Sequence, residues 1–237
     1  MTALRVSTSV HDVLTTMGPA RLHVRAVSRP RAVLVLGHGA GRGADTEDLL
    51  GLAGSLPSLG TTVVLLDQPW VLAGRRVAAA ATSLDVAWVE ALAELPGILR
   101  GSAGAPIVVG GRSAGARVAC RTAATVGASG VLLLAVPLLP PAARADDARR
   151  EVALAVRLGE LGAPVRAGIP VVAAQGERDV FGTAAELAGL VPSVVEVVAV
   201  PDADHALRPR RGGPDPAPIL LAAAVRAVSR ARGETRE

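Results

Sequence analysis

The chain has 237 residues, of which 50% are hydrophobic and 19% charged, a balance suited to one folded domain with a sizeable buried core. Its 25 basic residues are all arginines against 21 acids, so the net charge is only +4 and is scattered; aromatics stand at 1%. A nucleic-acid partner is therefore not expected, because base stacking has few platforms and the arginines form no long block.

The single cysteine, Cys120, excludes an internal disulfide and any cysteine-built metal site, and reads as a small buried hydrophobe. No His/Asp/Glu cluster has metal-ligand spacing and no phosphate-cradling loop appears, so neither metal nor cofactor is expected. The N-terminus lacks the apolar stretch of a secretory signal. The longest apolar run, Val131 to Ala143, is broken by Pro137, Pro140 and Pro141 and is too short to cross a bilayer. A cytoplasmic protein without a membrane partner is the expectation.

In chain order, strand-length runs rich in valine and leucine appear at Arg21–Val27, Arg31–Leu36, Thr61–Leu66, Pro106–Val109, Gly130–Val136, Pro170–Ala174 and Val194–Val200. Several are apolar without alternation, as in strands covered on both faces of a parallel sheet. Helical spacing falls between them at Thr46–Leu56, Ser83–Leu99, Ala114–Val126, Ala184–Leu190 and Ala217–Arg232. The pattern predicts an α/β class with a mostly parallel central sheet flanked by helices. Residues 1–18 and 230–237 read as flexible ends. The segment from Pro137 to Pro164, Pro-rich and then charged, reads as an excursion between two sheet strands, a candidate small cap.

The sharpest motif is Val108-Val109-Gly110-Gly111-Arg112-Ser113-Ala114-Gly115, an apolar strand that runs through G-x-S-x-G into a helical stretch. A serine on so sharp a turn needs glycines on either side, since side chains at Gly111 and Gly115 would strike neighbouring backbone. The following helix brings N–H groups and a positive dipole end toward a developing oxyanion, with the N–H of Ala114 as one donor. The bare pattern arises by chance about 0.1 times in a chain this rich in glycine, so the strand before and the helix after carry the weight.

A second apolar strand ends in Gly37-His38-Gly39-Ala40-Gly41, an oxyanion-type loop whose second donor is expected to be the N–H of Ala40. His38 reads as a hydrogen-bonder that shapes this loop rather than as a base. Further on, Ala174-Gln175-Gly176-Glu177-Arg178-Asp179 leaves a carboxylate beyond a strand end. Asp179 is the candidate acid, with Glu177 an alternative. After the last strand, Asp202-Ala203-Asp204-His205 delivers His205 as candidate base, completing the chain order Ser, Asp, His. His11 and His23 have no comparable setting.

With these motifs assembled, the chain resembles the α/β-hydrolase superfamily. Within it, the chain looks like small dienelactone-hydrolase-like proteins related to the hydrolase-like domain of testis-expressed and chromatin-complex (NSL subunit) proteins. The likeness runs from about Arg31 to Arg226 and rests on His38–Gly41, Gly110–Arg117, Val136–Pro141, Gln175–Gly182 and Asp204-His205. It implies the α/β-hydrolase fold with a minimal cap and a Ser113, Asp179, His205 triad. Two departures are Ala116, where a second elbow glycine is expected, and the stretch Leu65–Trp70, less aromatic than its family counterpart.

The expected chemistry is hydrolysis of a small carboxylic ester through an acyl-enzyme. Trp70 and Phe181, just past strand ends, and His38 and Arg112 are candidate pocket residues, with Arg75 and Arg76 also placed to meet an anion. Structural pairing of these arginines with nearby acids is the competing expectation. The competing function is a non-catalytic interaction module that docks through the charged stretch Asp146–Glu151. Oligomeric state and natural substrate are not readable from these residues.

Overall fold

A computed structural model describes residues 5–41, 43–75, 78–144 and 146–234. Its centre is an eight-stranded sheet: β1 (Val6–Thr15), β2 (Gly18–Val27), β3 (Ala32–Gly37), β4 (Thr61–Asp67), β5 (Ile107–Arg112), β6 (Gly130–Leu134), β7 (Val171–Gly176) and β8 (Glu196–Val200). The spatial order is β1-β2-β4-β3-β5-β6-β7-β8. β1 and β2 form an antiparallel hairpin, β2 pairs antiparallel with β4, and the remaining neighbours are parallel.

The helices are α1 (Glu47–Ser55), α2 (Pro69–Leu72), α3 (Ala81–Ala93), α4 (Leu95–Ile98), α5 (Ala114–Thr122), α6 (Asp147–Arg166), α7 (Ala184–Leu190) and α8 (Ala217–Ala231). Two apolar cores explain why the central strands carry no polar alternation. Val33, Val35, Val131 and Leu133 join one core with Trp88 of α3 and Val118 of α5. Their neighbours Leu34, Leu36, Leu132 and Leu134 join the other with Leu49 and Leu52 of α1 and Leu220 and Ala224 of α8. Each parity of the strand thus meets a helix layer, as a parallel sheet requires.

Two segments differ from expectation. Val6–Thr15, read as part of a loose end, is a ten-residue edge strand. It is exposed over most of its length, Val6, Val10 and Leu14 included, and buries only Val13, so it lacks the apolar run that marks a covered strand. The excursion after Pro137 contains a 20-residue helix, α6, with Asp146 accepting from the Arg149 N–H as its N-cap. Only Leu161 and Pro164 are buried on it, too thin a stripe for periodicity to reveal. Among the described residues, no helix is long and apolar enough to cross a membrane.

Candidate active site

Ser113 sits at the turn from β5 into α5 with φ +52° and ψ −105°, a conformation that costs energy for any residue with a Cβ. The glycines around it are demanded by contact. A Cβ at Gly111 would lie 2.4 Å from the Gly37 carbonyl oxygen, and one at Gly115 would meet the same atom at 2.4 Å. Both clashes are with backbone, which cannot swing aside. The strand β3 and the elbow are thereby pressed together at the carboxyl end of the parallel sheet, where α/β sheets hold their ligands.

The ends of β7 and β8 bring two more groups there. The Ser113 hydroxyl donates to His205 Nε2 at 3.0 Å, and His205 Nδ1–H donates to Asp179 Oδ2 at 2.8 Å. The carboxylate fixes the tautomer: with Nδ1 carrying the proton, Nε2 is free to accept. Asp179 is 2% exposed. It also accepts from Gln175 Nε2 at 3.0 Å and from the Phe181 N–H at 2.8 Å, so its buried charge is fully engaged. The ring of Phe181 lies 4.4 Å from that of His205, tilted by 46°, and covers one of its faces.

Glu177, the alternative acid, accepts from the Asp202 N–H at 3.1 Å. Arg178 donates to the Asp202 carbonyl at 2.7 Å, so both residues staple the loop that bears His205. Asp204 accepts from the N–H groups of Ala206 and Arg208 and shapes the same loop from inside.

On the other side of Ser113, Gly39 lies so close that a Cβ there would be 3.6 Å from the serine Cβ. His38 is 3% exposed. Its Nδ1–H donates to the Gly39 carbonyl at 2.8 Å and its Nε2 accepts from the Gln68 N–H at 3.0 Å. Burial pushes its pKa below 6.5 and so favours the neutral ring, and it outweighs the hydrogen bond to Gly39, which acts the other way. Ala40 and Ala114 both border a cavity of about 10 Å³, room for one water-sized group, walled by Trp70, Leu84 and Trp88.

The remaining sequence-named residues fall into different settings. Trp70 is buried and stands edge-on to His38 with ring centroids 5.4 Å apart, supporting the loop from behind. Arg112 is held by its own protein: Nη2 donates to the His205 carbonyl at 3.0 Å and Nε lies 3.4 Å from Asp48 Oδ2 of α1. Arg75 is exposed, and Arg76 lies outside the described residues. Asp67 engages His23 at 2.8 Å and the Ala44 N–H at 2.6 Å, while Asp85 engages Arg121.

Sequence reasoning missed Gln175, which bridges Asp179 to the Gly182 carbonyl at 2.6 Å. Its signal was a glutamine directly after the apolar run Val171–Ala174, which the structure buries completely. It also missed the grip of Arg112 on the histidine loop, which joins residues 93 positions apart and has no local signal.

A mostly parallel sheet under two helix layers, with a serine elbow at its carboxyl edge, is the architecture of the α/β-hydrolases. The model of the α/β-hydrolase domain family matches residues 30–232, and the chain belongs to that family. No curated protein matches it in sequence.

Solved structures share the fold at low identity. A serine hydrolase without a lid from Xanthomonas campestris is 15% identical with a TM-score of 0.65, covering 93% of this chain and 94% of its own. A dienelactone hydrolase from Anabaena variabilis is 16% identical with a TM-score of 0.68, covering 98% and 99%. An esterase from Pyrococcus furiosus is 14% identical with a TM-score of 0.67, covering 94% of each chain.

Proposed function

We propose that this chain is a serine hydrolase that cleaves a small carboxylic ester, with Ser113 as nucleophile, His205 as base and Asp179 as the acid that orients it. The observation that carries this reading is the unbroken hydrogen-bond series Ser113 Oγ, His205 Nε2, His205 Nδ1, Asp179 Oδ2, at 3.0 and 2.8 Å. Such a series lets His205 take the serine proton as Oγ attacks the ester carbonyl, while buried Asp179 stabilises the imidazolium. The tetrahedral oxyanion is received by the N–H groups of Ala114 and Ala40. His205 then passes its proton to the leaving alcohol, and water activated by the same imidazole releases the acid and restores Ser113.

The reading extends to one domain, a soluble cytoplasmic protein, a small-molecule substrate and no cofactor. The fold-mates named as esterase and dienelactone hydrolase agree with ester chemistry; the likeness to the NSL-related branch rests on the sequence motifs alone and adds no substrate. Trp70 and His38 act behind the oxyanion loop, Arg112 behind the histidine, and Phe181 borders the substrate. A fluorophosphonate probe tests the core of the proposal. It should label Ser113, with labelling lost in Ser113→Ala and suppressed in His205→Ala, and p-nitrophenyl acetate turnover should vanish in both. A folded protein that takes no label would instead favour the interaction module.

A further inference from the structure

β1 is an edge of the sheet, with β2 on one side and, among the described residues, no strand on the other. Parity decides which of its backbone groups stay free. The Ser28 N–H donates to the Arg5 carbonyl at 3.2 Å, whereas the Val27 N–H turns to Thr62 of β4. The odd residues of β1 therefore aim their N–H and C=O groups at β2. Val6, Thr8, Val10, Asp12 and Leu14 aim theirs outward, in a row about 27 Å long. Among the described residues no hydrogen bond engages these groups.

The same five residues share one face of the sheet, the side on which Leu50 and Ala53 of α1 lie above Thr8 and Val10. Three of the five are apolar and open to water, Val6 at 49%, Val10 at 56% and Leu14 at 87%. β1 carries none of the usual devices that keep an edge apart from other chains. It has no proline or lysine, and its ladder to β2 runs through all ten residues without a bulge. Its one acid, Asp12, is already matched by Arg21 at 2.6 Å. A free hydrogen-bonding edge and an apolar stripe on the same residues form a surface that can receive another strand.

We propose that the occupant is β1 of a second copy of this chain, running antiparallel about a two-fold axis through Val10 and joining the two sheets into one. The strand itself selects this partner and this register. Outward groups must meet outward groups, so even residues pair with even ones. With the axis at Val10, all five find partners: Val10 meets the partner's Val10, Val6 the partner's Leu14, and Thr8 the partner's Asp12. Every outward N–H and C=O is then bonded, and apolar side chains meet at Val6, Val10 and Leu14. The two Asp12 carboxylates stay four residues apart along the strands, about 14 Å.

Other even registers are worse. A slip of two residues sets Asp12 against Val6 or Val10 and leaves Leu14 or Val6 unmatched, and a slip of four in one direction sets Asp12 against its own copy. This self-complementarity is what an isologous contact requires, and an unrelated strand would have no cause to share it. The contact is small for a specific interface, so a dissociation constant on the order of 10 μM is expected rather than an obligate dimer.

Sedimentation velocity of the full chain from about 1 to 300 μM, a span around that constant, should show a reversible monomer–dimer equilibrium. Val10→Lys changes a side chain that is already exposed and sets two ammonium groups face to face on the axis. It should weaken the dimer by roughly tenfold or more, with the thermal midpoint of the monomer unchanged. Amide exchange reads the register. As the dimer forms, the N–H groups of Val6, Thr8, Val10, Asp12 and Leu14 should slow, while those of Ser7, Ser9 and His11, already turned to β2, should not.

Cys120 is buried, so Val10→Cys supplies one reactive thiol, and a short bismaleimide should join two copies through it. Val194→Cys, exposed beside β8 at the opposite edge, should give no such product. A chain that stays monomeric throughout the concentration range, or a dimer that Val10→Lys leaves as tight as before, overturns the proposal. So does cross-linking through Val194 in place of Val10, or growth of open filaments, which a contact of β1 with β8 would build. None of these outcomes depends on the hydrolase reading, because β1 contributes no group to the Ser113 site.

Discussion

At Ser113 the backbone holds φ +52°, and two glycines bear the cost of that turn by letting β3 approach within contact. Gly115→Ala puts a Cβ 2.4 Å from the Gly37 oxygen, so one strand or the elbow must shift. Overpacking against backbone sits at the upper end of its usual range, and a loss of about 3 kcal/mol is expected in urea unfolding. Asp179→Asn keeps the shape but lets the amide present an N–H to His205 Nδ1, favouring the wrong tautomer. A drop in kcat of about 10⁴-fold is expected for p-nitrophenyl acetate, with KM little changed. A fall within tenfold would argue that Asp179 only shapes its loop. Both expectations were legible from spacing, because the elbow and the strand-end carboxylate are local patterns. Arg112 was not: the same guanidinium that looked free to greet an anion is used up by His205 and Asp48.

At the scale of elements, α6 is fastened to the elbow helix α5 by a network the sequence did not announce. Glu160 of α6 takes hydrogen bonds from Arg117 at 2.8 Å and Arg121 at 2.9 Å, with Arg157 beside it, and Arg121 reaches on to Asp85 of α3 at 2.7 Å. Burial pushes the Glu160 carboxyl up, but Arg117, Arg157 and Arg121 outweigh it and bring the pKa to about 2. Glu160→Gln leaves three guanidinium groups facing one another with Asp85 as the remaining counter-charge. Removing one partner of such a cluster costs about 3 kcal/mol. Amide exchange in α6 should accelerate far more than in β6; equal acceleration would mean that α6 does not depend on this anchor. The helix went unread as a helix because its hold on the fold is ionic, and hydrophobic periodicity reports only apolar faces.

For the whole molecule, these shifted groups set how stability follows pH. Glu160 and Glu186 stand at about 2 in the folded protein against 4.5 ordinarily, Glu186 through the Arg144 hydrogen bond first. Depressed carboxyls contribute stability above 4.5 and lose it as pH falls toward 2. Glu186 is largely exposed, so solvent screens most of its share. Buried His38 is held below 6.5, so the unfolded chain takes up that proton first and stability also declines as pH drops beneath 6.5. Thermal midpoints measured from about pH 7 to pH 3 should therefore slope gently at first and steepen below 4.5. The steep limb should flatten in Glu160→Gln. An unchanged limb would assign it to other carboxylates.

The sequence by itself determined the class of fold, the alternation of central strands and helices along the chain, and the three residues that now lie in hydrogen-bond contact. It could do so because covered strands, glycine-lined turns and strand-end polar residues are imposed locally by packing and sterics. What only the tertiary structure decided is everything made across the sheet edge and between helices. The edge strand β1, the ionic anchor of α6 and the engagement of Arg112 all depend on groups far apart in the chain. Their pairing depends on three-dimensional proximity and on charge, neither of which leaves a period in the sequence.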